Sequence, residues 1–234
     1  LSGNFTHLAT VGSTNDWLMA AAPQLIDGHW VIADRQTAGR GRRGRAWSDG
    51  AGNLMASVLV RSQGQVQQLS FVAALALRAA LVGMDPALDA RLRLKWPNDV
   101  LLDGTKFAGI LLERAGDALV IGFGVNITSH PEVSERPATS LAAAGALTPP
   151  PRLLLEALRA AFAALRAQWH DAGFEPIRAQ WLAHAAGLGG RVTARLGDES
   201  LEGRFDGLEA DGALALRLDD GSLRAVHAGE VFAL

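Results

Sequence analysis

Residues 39–47 read GRGRRGRAW and place four of the chain's twenty arginines, Arg40, Arg42, Arg43 and Arg45, within six positions. Gly39, Gly41 and Gly44 interleave them. Guanidinium groups bind phosphate or carboxylate oxygens in bidentate fashion, and glycines let successive backbone N–H groups turn toward one anion. Such a loop is suited to clamping two anionic groups at once. The plainer alternative is a solvated basic loop or an RNA-contacting stripe; a merely flexible surface loop, however, gains nothing from glycines at fixed intervals. The spacing also satisfies G-x-G-x-x-G, but a dinucleotide fold needs a helix opening at the third glycine and an acidic residue for the ribose. Here RAWSDGAGN follows, rich in helix breakers, and positions 53–84 hold no Asp or Glu. The dinucleotide reading fails.

The chain has two lysines, Lys95 and Lys106. Lys95-Trp96-Pro97-Asn98-Asp99 reads as a strand terminus with turn residues, and equally as an ammonium, an amide and a carboxylate gathered to hold a nucleotide and its Mg2+. Lys106 lies just past Asp103-Gly104, with Gly109 three residues on. A lysine there is commonly a solvated edge residue, but a compact ammonium can also follow a phosphoryl oxygen as charge shifts. Ser13-Thr14-Asn15 is explained as a helix N-cap and could also bind a neutral polar ligand. Asn126 fits a turn or a nucleotide contact. Glu113 fits the end of a strand better than a general base.

The elements that must position these residues follow from local pattern. Ser13 begins SxxD, a capping box ahead of a helix stopped by Pro23. Strands are expected at 30–33 and 53–61 and a long buried helix at 66–83. ARLRLKW alternates at period two, and Asp103-Gly104 between apolar runs marks a hairpin. A strand is expected over 118–127, a loop over 128–151, and helices over 151–171 and 175–186. From Gly187 onward, short alternating strands separated by Gly/Asp turns suggest a small SH3-like barrel. The domain division is therefore 1–186 and 187–234.

The 234 residues, 49% of them hydrophobic, suffice for a substantial core, and the net charge of −2 excludes a bulk basic nucleic-acid binder. Cysteine is absent, excluding disulfides and thiolate chemistry, and the six histidines show no zinc-ligand spacing. The apolar runs read as too short for a membrane span and no signal peptide opens the chain. A soluble cytoplasmic protein is the expectation.

In order along the chain, STN, QTAGRGRRGRAW, KWPNDV, KFAGILLE, VIGFGVNI and a small C-terminal barrel together resemble the biotin protein ligases. The resemblance implies an α+β fold, a mixed sheet flanked by helices and related to class II aminoacyl-tRNA synthetases. It implies a two-step reaction: biotin's carboxylate attacks the α-phosphate of MgATP, then an acceptor lysine attacks biotinyl-5′-AMP and AMP leaves. By matching motif, biotin would be held by Ser13, Thr14, Asn15, Gln36, Gly39, Arg40, Gly41, Arg42, Lys106 and Gly109. ATP would be held by Arg40, Arg45, Trp47, Lys95, Asn98, Asp99 and Asn126. Lys106 and Arg42 would carry catalysis, with Mg2+ arriving on ATP rather than at a resident metal site. The implied partner is the biotin carboxyl carrier protein of a carboxylase, and the implied state a monomer or weak homodimer. Lipoate or octanoate attachment is the nearest rival. A biotin-sensing repressor is another, but STN begins at residue 13, leaving no room for a winged helix, so operator DNA binding is not expected.

Overall fold

The computed structural model describes residues 4–47, 50–62, 65–131, 137–197 and 199–233. A seven-stranded sheet is built from β1 (Phe5–Val11), β2 (Trp30–Gln36), β3 (Leu54–Arg61), β4 (Leu92–Lys95), β5 (Asp99–Leu102), β6 (Thr105–Ala115) and β7 (Ala118–Val125), in the order β1-β2-β3-β7-β6-β5-β4. Among the strands of the described residues in this sheet, only β1 and β2 run parallel, joined across α1 (Thr14–Ala21); the other neighbours are antiparallel. The expected mixed sheet is present, with one strand that pattern reading missed: FTHLATV in β1 mixes partly buried and exposed positions and lacks a clean alternation.

Alternation along the central strands divides the core in two. Trp30, Ile32, Val58 and Val60 face one side, which α2 (Leu69–Met84), α3 (Pro151–Ala172) and α4 (Phe174–Ala183) cover. Val31, Leu59 and Val120 face the other side and pack with Leu18 of α1. The α2 segment corrects the reading of apolar lengths: Val66–Met84 is long and apolar enough to span a membrane by length and composition. It is instead the core helix, buried between the sheet and α3 and α4. Asp103 and Gly104 both take positive φ, +50° and +79°, in the tight turn that the sequence marks between β5 and β6.

The expected small β unit is a five-stranded antiparallel sheet of β8 (Arg191–Leu196), β9 (Glu199–Leu208), β10 (Leu214–Arg217), β11 (Leu223–Val226) and β12 (Glu230–Ala233). β12, also missed, pairs with β8. This unit shares the main core through Val192, Phe205, Leu208 and Leu214. It is tied down by side chains reaching its backbone: Trp96 Nε1 to Gly212 O (3.1 Å), Gln68 Nε2 to Ala210 O (3.1 Å) and Arg178 to Leu208 O (2.6 Å). A Cβ on Gly212 would sit 2.7 Å from Phe71, so the turn can seat on α2 only as glycine.

Beside β1, buried His29 holds Thr6 Oγ1 at 2.9 Å, and burial followed by the charge of Arg159 lowers its pKa from 6.5. The folded state thus disfavours the imidazolium, and stability is lost as pH falls through the unfolded value toward the folded one. We expect urea unfolding to show wild type losing stability relative to His29→Gln between pH 7.5 and pH 5; a pH-independent difference would disprove the assignment.

Candidate active site

The sheet face shared with α1 is open at one end because three strand positions lack side chains. Gly109 pairs with Gly124 and Leu111 with Gly122 across β6 and β7, while Met55 and Ser57 flank the same glycines from β3. Glycines alternate in GFG because Phe123 between them points into the core. A Cβ on Gly122 would overlap the Asn15 amide, one on Gly124 would overlap the Trp47 indole, and one on Gly109 would lie 3.2 Å from that ring. The space above this floor is a cavity of about 330 Å³.

At one end the cavity wall is a buried polar chain. Ser13 caps α1, accepting from Asp16 N at 3.4 Å, but the Asp16 carboxylate turns to Arg40, so only the first half of the expected capping box is seen. Thr14 donates its N–H (2.7 Å) and hydroxyl (2.9 Å) to Gln36 Oε1. Ser57 contacts Thr14 Oγ1 at 2.7 Å and Asn15 Oδ1 at 2.6 Å. Asn15 Nδ2 donates to Glu113 Oε2 at 2.7 Å. The four residues Thr14, Asn15, Gln36 and Ser57 are almost fully buried, fixed in place for a ligand with matching donors and acceptors.

The arginine loop closes over the cavity. Trp47 N donates to Gly39 O (2.9 Å) and Gly41 N to Arg45 O (2.7 Å) around a 3-10 turn at Arg42–Gly44. Arg43 (φ +57°) and Gly44 (φ +72°) both take left-handed backbone there. The Gly41 and Trp47 N–H groups are thus satisfied inside the loop. Arg40 lines the cavity, and its guanidinium binds Asp16 (2.5 and 2.7 Å) and Glu113 (3.0 Å); these hydrogen bonds, Asp16 foremost, raise its pKa. Its neighbours in the loop have partners as well. Arg42 reaches Asn98 Oδ1 (3.3 Å) and Gly229 O (3.1 Å), and burial lowers its pKa. Arg45 pairs with Glu230 of β12.

Lys106 arrives on this face through a register shift. Leu101 pairs with Lys106 but Val100 with Ala108, so Phe107 is an extra residue, and Phe107 and Ala108 both enter the core. Without that bulge, strict alternation from Gly109 would turn Lys106 to the helix side. Its ammonium lies 2.6 Å from Asp99 Oδ1 and 5.9 Å from the Trp47 ring centre. Asn98 Nδ2 donates to Ile110 O (2.5 Å), and Asn126 Nδ2 to Thr139 O (3.1 Å), so both amides brace the backbone at the rim. Residues 132–136 of the expected loop lie outside the described residues. Its later part supports the site, with Thr139 N bonded to Lys106 O.

Fourteen of the sixteen residues expected to bind or act line this cavity. Gly39 serves through its carbonyl, outside the wall. Lys95 is set apart: its ammonium lies 5.0 Å from the Phe232 ring centre, and burial lowers its pKa against the opposing pull of Asp99. Sequence reasoning missed Ser57, Gly122 and Gly124, and read Glu113 as a strand end; the one available signal was the GFG alternation inside a buried strand. A second cleft of about 500 Å³, between α2, β6 and the C-terminal unit, shares Arg42, Asn98 and Ile110 with the first.

The family model described as the biotin/lipoate A/B protein ligase family matches residues 9–126, and that of the biotin protein ligase C terminal domain matches residues 187–234. The biotin–[acetyl-CoA-carboxylase] ligase of Paracoccus denitrificans is 44% identical over 96% of this chain and 98% of its own. The ligase of the same name from Mycobacterium tuberculosis is 36% identical over 96% of this chain and 86% of its own. The solved biotin protein ligase from Aquifex aeolicus in complex with biotin and ATP superimposes with a TM-score of 0.87 at 27% identity, over 98% and 97% of the two chains.

The glycine floor is testable without any ligand. In Gly124→Ala the new methyl meets the indole, so Trp47 must leave the sheet. We expect a crystal structure of the variant to show the ring displaced and the loop reordered, at a stability cost of about 1–3 kcal/mol for the overpacked position. An unmoved indole would remove the floor's assigned role.

Proposed function

The chain belongs to the biotin/lipoate A/B protein ligase family, and we propose that it activates biotin with ATP as biotinyl-5′-AMP and transfers the acyl group to a lysine of a biotin carboxyl carrier protein. The observation that carries this reading is one cavity joining a buried neutral polar wall to a cationic loop and a strand-borne ammonium. The wall suits a ureido ring, which both donates and accepts hydrogen bonds. A lipoyl or octanoyl tail would offer that polar wall no matching donors and acceptors, and sites built to bind polar groups strongly reject analogues lacking them.

The charge arrangement suits the first step. A carboxylate oxygen bonds to the α-phosphorus as the bond to pyrophosphate breaks, so like charges must approach and negative charge spreads over phosphoryl oxygens. Arg42, Arg45 and Lys106 counter both effects from fixed positions. Asp99 steadies the Lys106 ammonium until phosphate oxygens compete for it. The buried indole N–H of Trp47 has no hydrogen-bond partner among the described residues and offers a donor to the ligand. Mg2+ would travel on the triphosphate, with Asp99 the nearby carboxylate, and would neutralise phosphate charge when bound. In the second step the neutral lysine amine attacks the acyl carbon, AMP leaves, and the new amide nitrogen sheds its proton. Arg42 lines both the cavity and the second cleft, and a loop closed over the site would shield the anhydride from water.

ATP–pyrophosphate exchange run in parallel with biotin, lipoate and octanoate should proceed with biotin alone; exchange driven by lipoate instead would overturn the substrate. Lys106→Ala should lower biotin-dependent exchange by about a hundredfold, the scale of one lost charge-stabilising donor, with unchanged thermal unfolding. Arg42→Gly should release biotinyl-AMP into solution and label bystander lysines. Mass spectrometry finding label confined to the carrier protein would contradict that.

A further inference from the structure

Glu113 lies where the two halves of the site meet. Its Oε2 accepts from Asn15 of the polar wall at 2.7 Å, and its Oε1 accepts from Arg40 of the loop at 3.0 Å. Both partners line the cavity, whereas Glu113 stands behind them in β6, outside the lining. Asn15 has little freedom to move independently: its Oδ1 is held by Ser57 and its amide fills the space left by Gly122. Arg40 is bound on its other side by Asp16 in the first turn of α1. The carboxylate therefore joins the strand-backed wall to the arginine loop that closes over the cavity.

We propose that Glu113 is a positioning residue that couples occupancy of the polar wall to closure of the arginine loop. A ligand seated against the already fixed Asn15 adds to the hold on one oxygen of Glu113, whose other oxygen anchors Arg40 and with it the arginine loop to the sheet. Arg40 in this arrangement is the loop's tether, its charge met by two carboxylates, and Arg42 and Arg45 face the anion. Coupling of this kind requires both oxygens of one carboxylate, so the two functions can be separated by substitution.

The proposal rests on the biotin reading, and its test keeps the two apart. Steady-state adenylation and the release rate of biotinyl-AMP are measured for wild type, Glu113→Ala and Glu113→Gln, with thermal unfolding alongside. Glu113→Ala should raise the KM for biotin and speed adenylate release, each about tenfold, the scale of one charged hydrogen bond, while kcat falls less than about threefold. Glu113→Gln keeps an oxygen for Asn15 but lacks the charge facing Arg40. It should restore the KM for biotin to within about twofold and leave release fast, since the charged bond to Arg40 is the stronger of the pair. A fall in kcat alone, or a Gln variant that matches either wild type or Ala in both readouts, overturns the coupling. Wild type forming no biotinyl-AMP would sink the biotin reading and this proposal with it.

Discussion

An antiparallel sheet presents a side chain at every second residue to each face, and a cavity directly on a sheet can form only where those side chains are missing. Gly109, Gly122 and Gly124 supply that gap on neighbouring strands, and their positions are filled by groups from elsewhere in the chain. Asn15 comes from α1 and Trp47 from the arginine loop. The backbone conformation of these three glycines is ordinary for a strand, so it is the missing Cβ, not a positive φ, that the site needs. Polar wall, loop and Lys106 all converge on that bare surface, and a methyl group at either β7 glycine would exclude one of them.

The charges around the cavity are balanced rather than simply accumulated. Arg40 is met by Asp16 and Glu113, Arg45 by Glu230, and Lys106 by Asp99. Each pair is partly exposed, where ion pairs contribute modestly to stability, so these contacts are better understood as holding cations in geometry than as strengthening the fold. Arg42 is the more buried cation of the loop, and it reaches a side-chain amide and a backbone carbonyl. Burial without a full charge partner disfavours the guanidinium, and an anionic ligand would relieve that cost.

The C-terminal unit belongs to the site as well as to the core. Its turn at Gly229-Glu230 gives a carbonyl to Arg42 and a carboxylate to Arg45, so the loop closes between two bodies that share one hydrophobic core. Lys95 sits at the same junction, its ammonium 5.0 Å from the Phe232 ring centre, which the Arg195 guanidinium approaches to 4.7 Å. Lys95 therefore also contacts the C-terminal unit, a contact that the motif alone does not announce.

Local chemistry made much of this legible in the sequence. The glycine–arginine loop, the Asp103-Gly104 turn, the period-two strands and the change of texture near Gly187 are short-range signals, and each corresponds to an element of the structure. The resemblance carried by GRGRRGRAW, KWPND and KFAG identified the family from the chain alone. Other features depend on contacts between distant residues, which no local pattern encodes. Strand β1 forms because β2 offers it a parallel partner. Lys106 faces the cavity because a bulge shifts its register. Glu113 matters because Asn15 and Arg40, 98 and 73 positions away, arrive at its two oxygens. Residue type determined which groups could do the chemistry; packing across the sheet decided which of them meet, since only the folded chain sets the distances on which charge and hydrogen bonding depend.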